Sequence, residues 1–125
     1  MIPVDQTKLH LESQKGNCLA ASLASILELS IDEIPDFDGE RWFFEMEDWL
    51  LNKGFELIRW TFFIHLTSYS LVMGKSPRGN FTHLVVYQNG ELVHDPHPSR
   101  QGLENVQEVW ALLPLNPAIW KKENP

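Results

Sequence analysis

The sequence predicts a single α+β domain in which N-terminal helices pack on an antiparallel β-sheet. Three observations lead there. The chain has 125 residues, which suits one domain and leaves little room for a second. Hydrophobic residues make up 43% and charged residues 22% of it, enough apolar material to close one core. The hydrophobic period is helical before Gly54 and alternating after it. All of 1–125 is therefore read as one domain, with the polar, proline-ended stretch 121–125 as a frayed tail.

Pro3 and the polar run over 5–14 make the N-terminus extended or irregular. A first helix is expected over 18–29, with Asn17 as its N-cap. Leu19, Leu23, Ile26 and Leu27 recur at helical spacing and form its apolar stripe. Cys18 falls off that stripe, beside Ala21, Ser22 and Ser25, a small-residue side that lets another layer of backbone come close. Ser30-Ile-Asp-Glu33 reads as a capping box for a short turn that stops before Pro35. A second helix begins at 39 or 40 and ends at 53, with Gly54 as its stop. Trp42, Phe43, Phe44 and Trp49 surround this helix rather than stripe it. That predicts deep packing; a pocket lining is the lesser reading.

Strands are expected over 55–63, 69–73, 81–87, 91–95 and 106–113, after which Pro114 and Pro117 break regular structure. Residues 74–80 form a loop around Ser76-Pro-Arg-Gly79 that reads as an exposed turn, with a cleft rim as the alternative. Gln88-Asn89-Gly90 is the strongest hairpin signal in the chain.

The formal charge is −7, from 17 acidic and 10 basic residues. Such a surface repels phosphate backbones, which argues against nucleic acid or an anionic membrane as partner. The first ten residues lack the basic and apolar regions of a signal peptide. No apolar run approaches the roughly 18 residues that cross a bilayer. A single cysteine cannot form an internal disulfide, so the protein is read as intracellular and cytoplasmic.

That cysteine carries the functional argument. Cys18 starts a helix, where unpaired N–H groups and the dipole favour a thiolate and can hold an oxyanion. A small buried hydrophobe is the plainer reading, and the off-stripe position weakens it. A nucleophilic cysteine needs a base, and the base an orienting group. Among five histidines, His83 starts one strand of the hairpin, and the other ends at His94-Asp95-Pro96. A two-residue turn at Asn89-Gly90 sets His83 against Pro96 and turns Asp95 to the opposite face. A three-residue loop with a bulge at Gly90 sets His83 against Asp95 on one face. Both registers are open to the sequence. A metal held by His94, Asp95 and His97, with His83 and Cys18, is disfavoured, because adjacent strand residues point to opposite faces.

The order Cys-helix, His-strand, Asp-strand resembles the papain-like cysteine peptidases, and the compact bacterial bacteriocin-processing branch most. The likeness rests on Gln14-Lys-Gly-Asn-Cys18-Leu-Ala-Ala-Ser and on His83-Leu-Val-Val-Tyr with Val93-His-Asp-Pro96. The chain is also similar to small bacterial and phage proteins sharing Gly-Asn-Cys-Leu-Ala-Ala, Ser-Pro-Arg-Gly and Val-His-Asp-Pro-His-Pro-Ser. The resemblance implies a papain-like fold, Cys18 as nucleophile, His83 as general base then acid, and Asp95 as its orienter. It implies Gln14 as oxyanion donor, although the family places that glutamine about six residues before the cysteine and Gln14 lies four before it. Gln6 lies farther upstream still and is not taken as a substitute.

The expected activity is cysteine-dependent amide hydrolysis of a peptide or protein, as a peptidase or isopeptidase, with no cofactor. Deamidation and acyl transfer use the same triad. A catalytically silent protein-binding module on the same fold is the alternative from another class.

Overall fold

The computed structural model describes residues 1–11 and 14–116. The stretch 121–125 and Pro117 lie outside the described residues. The architecture is α+β, with two α-helices and one five-stranded antiparallel sheet.

Helix α1 spans Cys18–Leu27. It stops two residues short of the expected end because Glu28 turns left-handed at φ 57°. Asn17 stands at the N-cap but does not cap. Its Oδ1 accepts the N–H groups of Thr7 (3.0 Å) and Lys8 (2.9 Å), and its Nδ2 donates to Thr7 Oγ1. The side chain therefore ties down the N-terminal segment instead of the helix end. The small-residue side of α1 behaves as its composition requires. Ala21, Ser22 and Ser25 are fully buried. Ser22 Oγ donates to the Leu84 carbonyl, and Ser25 Oγ accepts the Val4 N–H.

A 3-10 turn at Ile31–Glu33 follows, with the Glu33 carboxylate accepting the Ser30 N–H. Helix α2 spans Trp42–Asn52, starting later than expected because residues 39–41 form a turn, closed by Trp42 N–H on the Gly39 carbonyl. The expectation of deep aromatic packing holds in part: three of the four rings pack against the core without being fully buried, and one faces outward. Phe44 is 64% exposed, under the Arg41 guanidinium. Trp42, Phe43 and Trp49 are half-buried against the core. The apolar anchors of α2 are Met46 and Leu50, both fully buried.

The strands are β1 (Phe55–Trp60), β2 (Ser70–Lys75), β3 (Thr82–Gln88), β4 (Glu91–His94) and β5 (Asn105–Pro114). Their order is β1-β5-β2-β3-β4. Strand β1 ends before 63, and the chain over 61–69 instead brings Ile64 and Leu66 against Val72, Val85 and Val109. Strand β2 runs past its expected end at Met73. A bulge at Met73/Gly74 carries it on to Lys75, and a Cβ at Gly74 would stand 1.8 Å from the Asn105 carbonyl oxygen.

Alternation along the central strands separates two apolar clusters. Leu71, Leu84 and Trp110 pack with both helices, while Val72, Val85 and Val109 form the second cluster. Among the described residues, no helix is long and apolar enough to cross a membrane.

Candidate active site

Neither hairpin register drawn from the sequence describes the site. Gln88 pairs with Glu91 and Tyr87 with Leu92, the two-residue turn. Asn89 and Gly90 both take positive φ, 55° and 73°, as such a turn requires. The next pair is Val86 with His94, so Val93 is an extra residue. This bulge moves Asp95 to the side of the hairpin that carries His83. His83 Nε2 then meets Asp95 Oδ1 at 2.7 Å, with the two side chains 3% and 0% exposed.

The Asp95 carboxylate is held on every side. Besides His83, Oδ1 accepts the His97 N–H at 2.9 Å and Oδ2 accepts the Gly102 N–H at 2.7 Å. Gly102 has φ 72°, a conformation that side chains rarely adopt. Burial disfavours the Asp95 anion, but these hydrogen bonds outweigh it and hold the carboxyl below its ordinary value of 3.8. A buried carboxylate with all its donors fixed is a rigid acceptor for an imidazole.

With Nε2 committed to Asp95, Nδ1 is the ring nitrogen left to serve Cys18. Burial pulls the His83 pKa down, yet the Asp95 hydrogen bond and then the interactions with Cys18 raise it from 6.5 to about 9. The imidazolium is thus favoured at neutral pH between a carboxylate and a sulfur. Cys18 is half-buried and unpaired as a disulfide. It opens α1, whose first turn holds no acidic residue, so nothing there offsets the positive helix end.

Cys18 and His83 line one cavity of about 480 Å³, a size common for ligand sites. Its wall is largely apolar, with Leu9, Leu19, Trp42, Met73 and Leu84. Trp42 is thus a cavity residue, the lesser of its two readings. His10 stacks on Phe81 at 4.0 Å, and both line the same space. Residues 77–80 do form a turn, and Arg78 within it also reaches the cavity, so the two readings of that loop coexist.

The structure does not bring Gln14 to this cavity. Its side chain is exposed and donates from Nε2 to the Leu9 carbonyl at 2.9 Å. It lines a separate hollow with Asn17 and Pro35, where an antiparallel bridge pairs Gln14 with Leu11. Gln6, set aside on spacing, lines the Cys18 cavity instead. Its Nε2 donates to the Lys8 carbonyl at 2.8 Å, and its backbone N–H bonds the Pro96 carbonyl. Gly16 makes this possible: a Cβ there would lie 3.2 Å from Gln6 Nε2.

His94 and Asp95 diverge as neighbouring strand residues should. His94 Nε2 donates to the Val4 carbonyl at 2.8 Å. Sequence reasoning missed Asp5 and Arg100, which pair through two contacts of 2.6 and 2.8 Å. Arg100 also donates to the Asp95 carbonyl, joining the N-terminal segment to the loop after β4. No sequence pattern signals a pair so far apart along the chain. No family model, curated protein or solved structure matches the chain.

Proposed function

We propose that the protein is a cysteine-dependent amide hydrolase, a peptidase or isopeptidase with a papain-like arrangement of its α+β fold. The observation that carries this reading is the buried 2.7 Å His83–Asp95 contact beside a helix-opening Cys18 in the wall of an apolar cavity. In this mechanism His83 takes the Cys18 proton, before or as the sulfur attacks. The sulfur attacks an amide carbonyl carbon, and the C=O π electrons move onto oxygen. The Cys18 backbone N–H faces that oxygen from the helix start, and Gln6, through its second Nε2 hydrogen, takes the donor role expected of Gln14. Collapse breaks the C–N bond, and His83 gives its proton to the departing amine. Water then attacks the thioester with His83 as base, releasing a carboxylic acid and the thiolate. Asp95 positions His83 and stays ionised throughout. No cofactor enters the scheme.

The test is a p-nitrophenyl ester with an apolar acyl group, which needs little substrate recognition. The expected result is a burst of p-nitrophenol with one acyl group retained on Cys18 by intact mass. Cys18→Ser should abolish both. A wild-type protein with no burst and no adduct would return Cys18 to a packing role and favour the binding-module alternative.

A further inference from the structure

The charge lining the cavity runs against the charge of the chain. The protein carries a formal −7, yet the described residues lining the cavity include Lys15, Arg78 and three histidines and no aspartate or glutamate. Among the described residues, Lys15 and Arg78 form no salt bridge; Lys8, Arg41 and Lys53 form none either, but only Lys15 and Arg78 of these line the cavity. Arg78 is fixed in place by neutral partners. Its Nη1 donates to Ser99 Oγ at 3.1 Å, and Ser99 Oγ meets His97 Nδ1 at 2.9 Å. The His97 ring stands edge-on to His83 at 6.3 Å between centroids. A guanidinium is thereby mounted on the wall that carries the base. Burial, and then the field of Arg78, disfavour the charged form of His97, whereas the Arg78 guanidinium stays charged at any working pH. Lys15 lies 5.8 Å from the Trp42 ring centroid, and both line the cavity.

Two unpaired cations around an apolar cavity are completed by a ligand that brings an anion on a hydrophobic stem. We propose that the cavity takes an acidic peptide segment, with Arg78 and, secondarily, Lys15 as counter-charges for a substrate carboxylate. This rests on the thiol-hydrolase reading for its chemistry and names the substrate class of that site. A neutral or basic segment leaves both cations without a counter-ion, so the lining discriminates by charge as well as by shape.

Two alkylating reagents of nearly equal size test the charge directly: iodoacetate, an anion, and neutral iodoacetamide. Each forms a bond from its methylene carbon to the Cys18 sulfur and expels iodide, leaving a carboxymethyl group from iodoacetate or a carbamoylmethyl group from iodoacetamide. The quantity read is the ratio of their Cys18 labelling rates at low ionic strength, in wild type, Arg78→Gln, Lys15→Gln and Lys53→Gln. The last removes the same charge outside the cavity lining. The expected result is an iodoacetate preference that falls about threefold in Arg78→Gln, less in Lys15→Gln, and holds in Lys53→Gln. Adding salt to 0.5 M should erase most of the difference. A ratio in Arg78→Gln equal to wild type, or one that drops equally in Lys53→Gln, overturns the proposal. Failure of the underlying reading has another signature: iodoacetamide alone then labels wild-type Cys18 no faster than an ordinary thiol, whatever the ratio.

Discussion

The β3–β4 hairpin and the N-terminal segment line the same cavity and are held by opposite means. On the hairpin, Val85 and Val86 are fully buried, and His83 and Asp95 are 2% exposed. The N-terminal segment is mostly exposed before α1 and is fastened by polar ties. These are Asn17 on Thr7 and Lys8, His94 on Val4, Ser25 on Val4, and Asp5 on Arg100. The difference teaches where stiffness is placed. The His83–Asp95 pair is held in buried surroundings, and the N-terminal wall lies on an exposed segment that opens at lower cost.

Removing Asp95 should break this contrast most severely. Asp95→Ala leaves a buried imidazolium and two orphaned N–H groups, an expected loss of about 3–5 kcal/mol in denaturant unfolding. A loss below about 1 kcal/mol would mean the hairpin does not enforce the pair.

The pH dependence of stability should follow from the same buried pair. The folded His83 pKa is raised from 6.5 to about 9. Its contribution is therefore complete below about pH 6.5 and disappears as pH rises through about 9. The Asp95 pKa is lowered from 3.8, so its contribution is present above about pH 4 and lost on further acidification. Stability should be greatest between about pH 4 and 6.5 and fall by about 2–3 kcal/mol towards pH 9.5. Thermal unfolding across that range checks this. Asp95→Asn should flatten the alkaline decline, and an unchanged slope would locate the titration elsewhere.

The N-terminal segment should give smaller and more local effects. Asn17→Ala removes three hydrogen bonds at the edge of the segment, an expected cost of about 1–2 kcal/mol. Native-state hydrogen exchange should show faster exchange at Thr7 and Lys8 with the β3 amides unmoved. Spread of that effect into β3 would erase the distinction between the two regions. The exposed Asp5–Arg100 pair should matter least: Arg100→Gln is expected to cost under about 1 kcal/mol, read by the same denaturant titration.

The helices, the strand order in sequence and the Cys18–His83–Asp95 grouping were legible because local patterns encode them. Small residues beside Cys18, alternation in β3 and the Asn89-Gly90 turn are all short-range signals. The register was not legible, because the Val93 bulge lies beyond the turn and depends on how β4 meets its neighbour. Gln14 and Gln6 exchanged places for a similar reason. Spacing along the chain says nothing of the Leu11–Gln14 bridge or of the close approach that Gly16 permits. Phe44 and Trp42 show that a ring of aromatics around a helix does not reveal which ones a sheet will cover.

The most direct test of the coupled Cys18–His83–Asp95 unit is the titration of the His83 ring by NMR, in wild type and in Cys18→Ser. The account predicts a wild-type pKa of about 9 that falls clearly when the sulfur is replaced. A His83 that titrates near the ordinary 6.5 in wild type, or whose pKa is the same in Cys18→Ser, would contradict it.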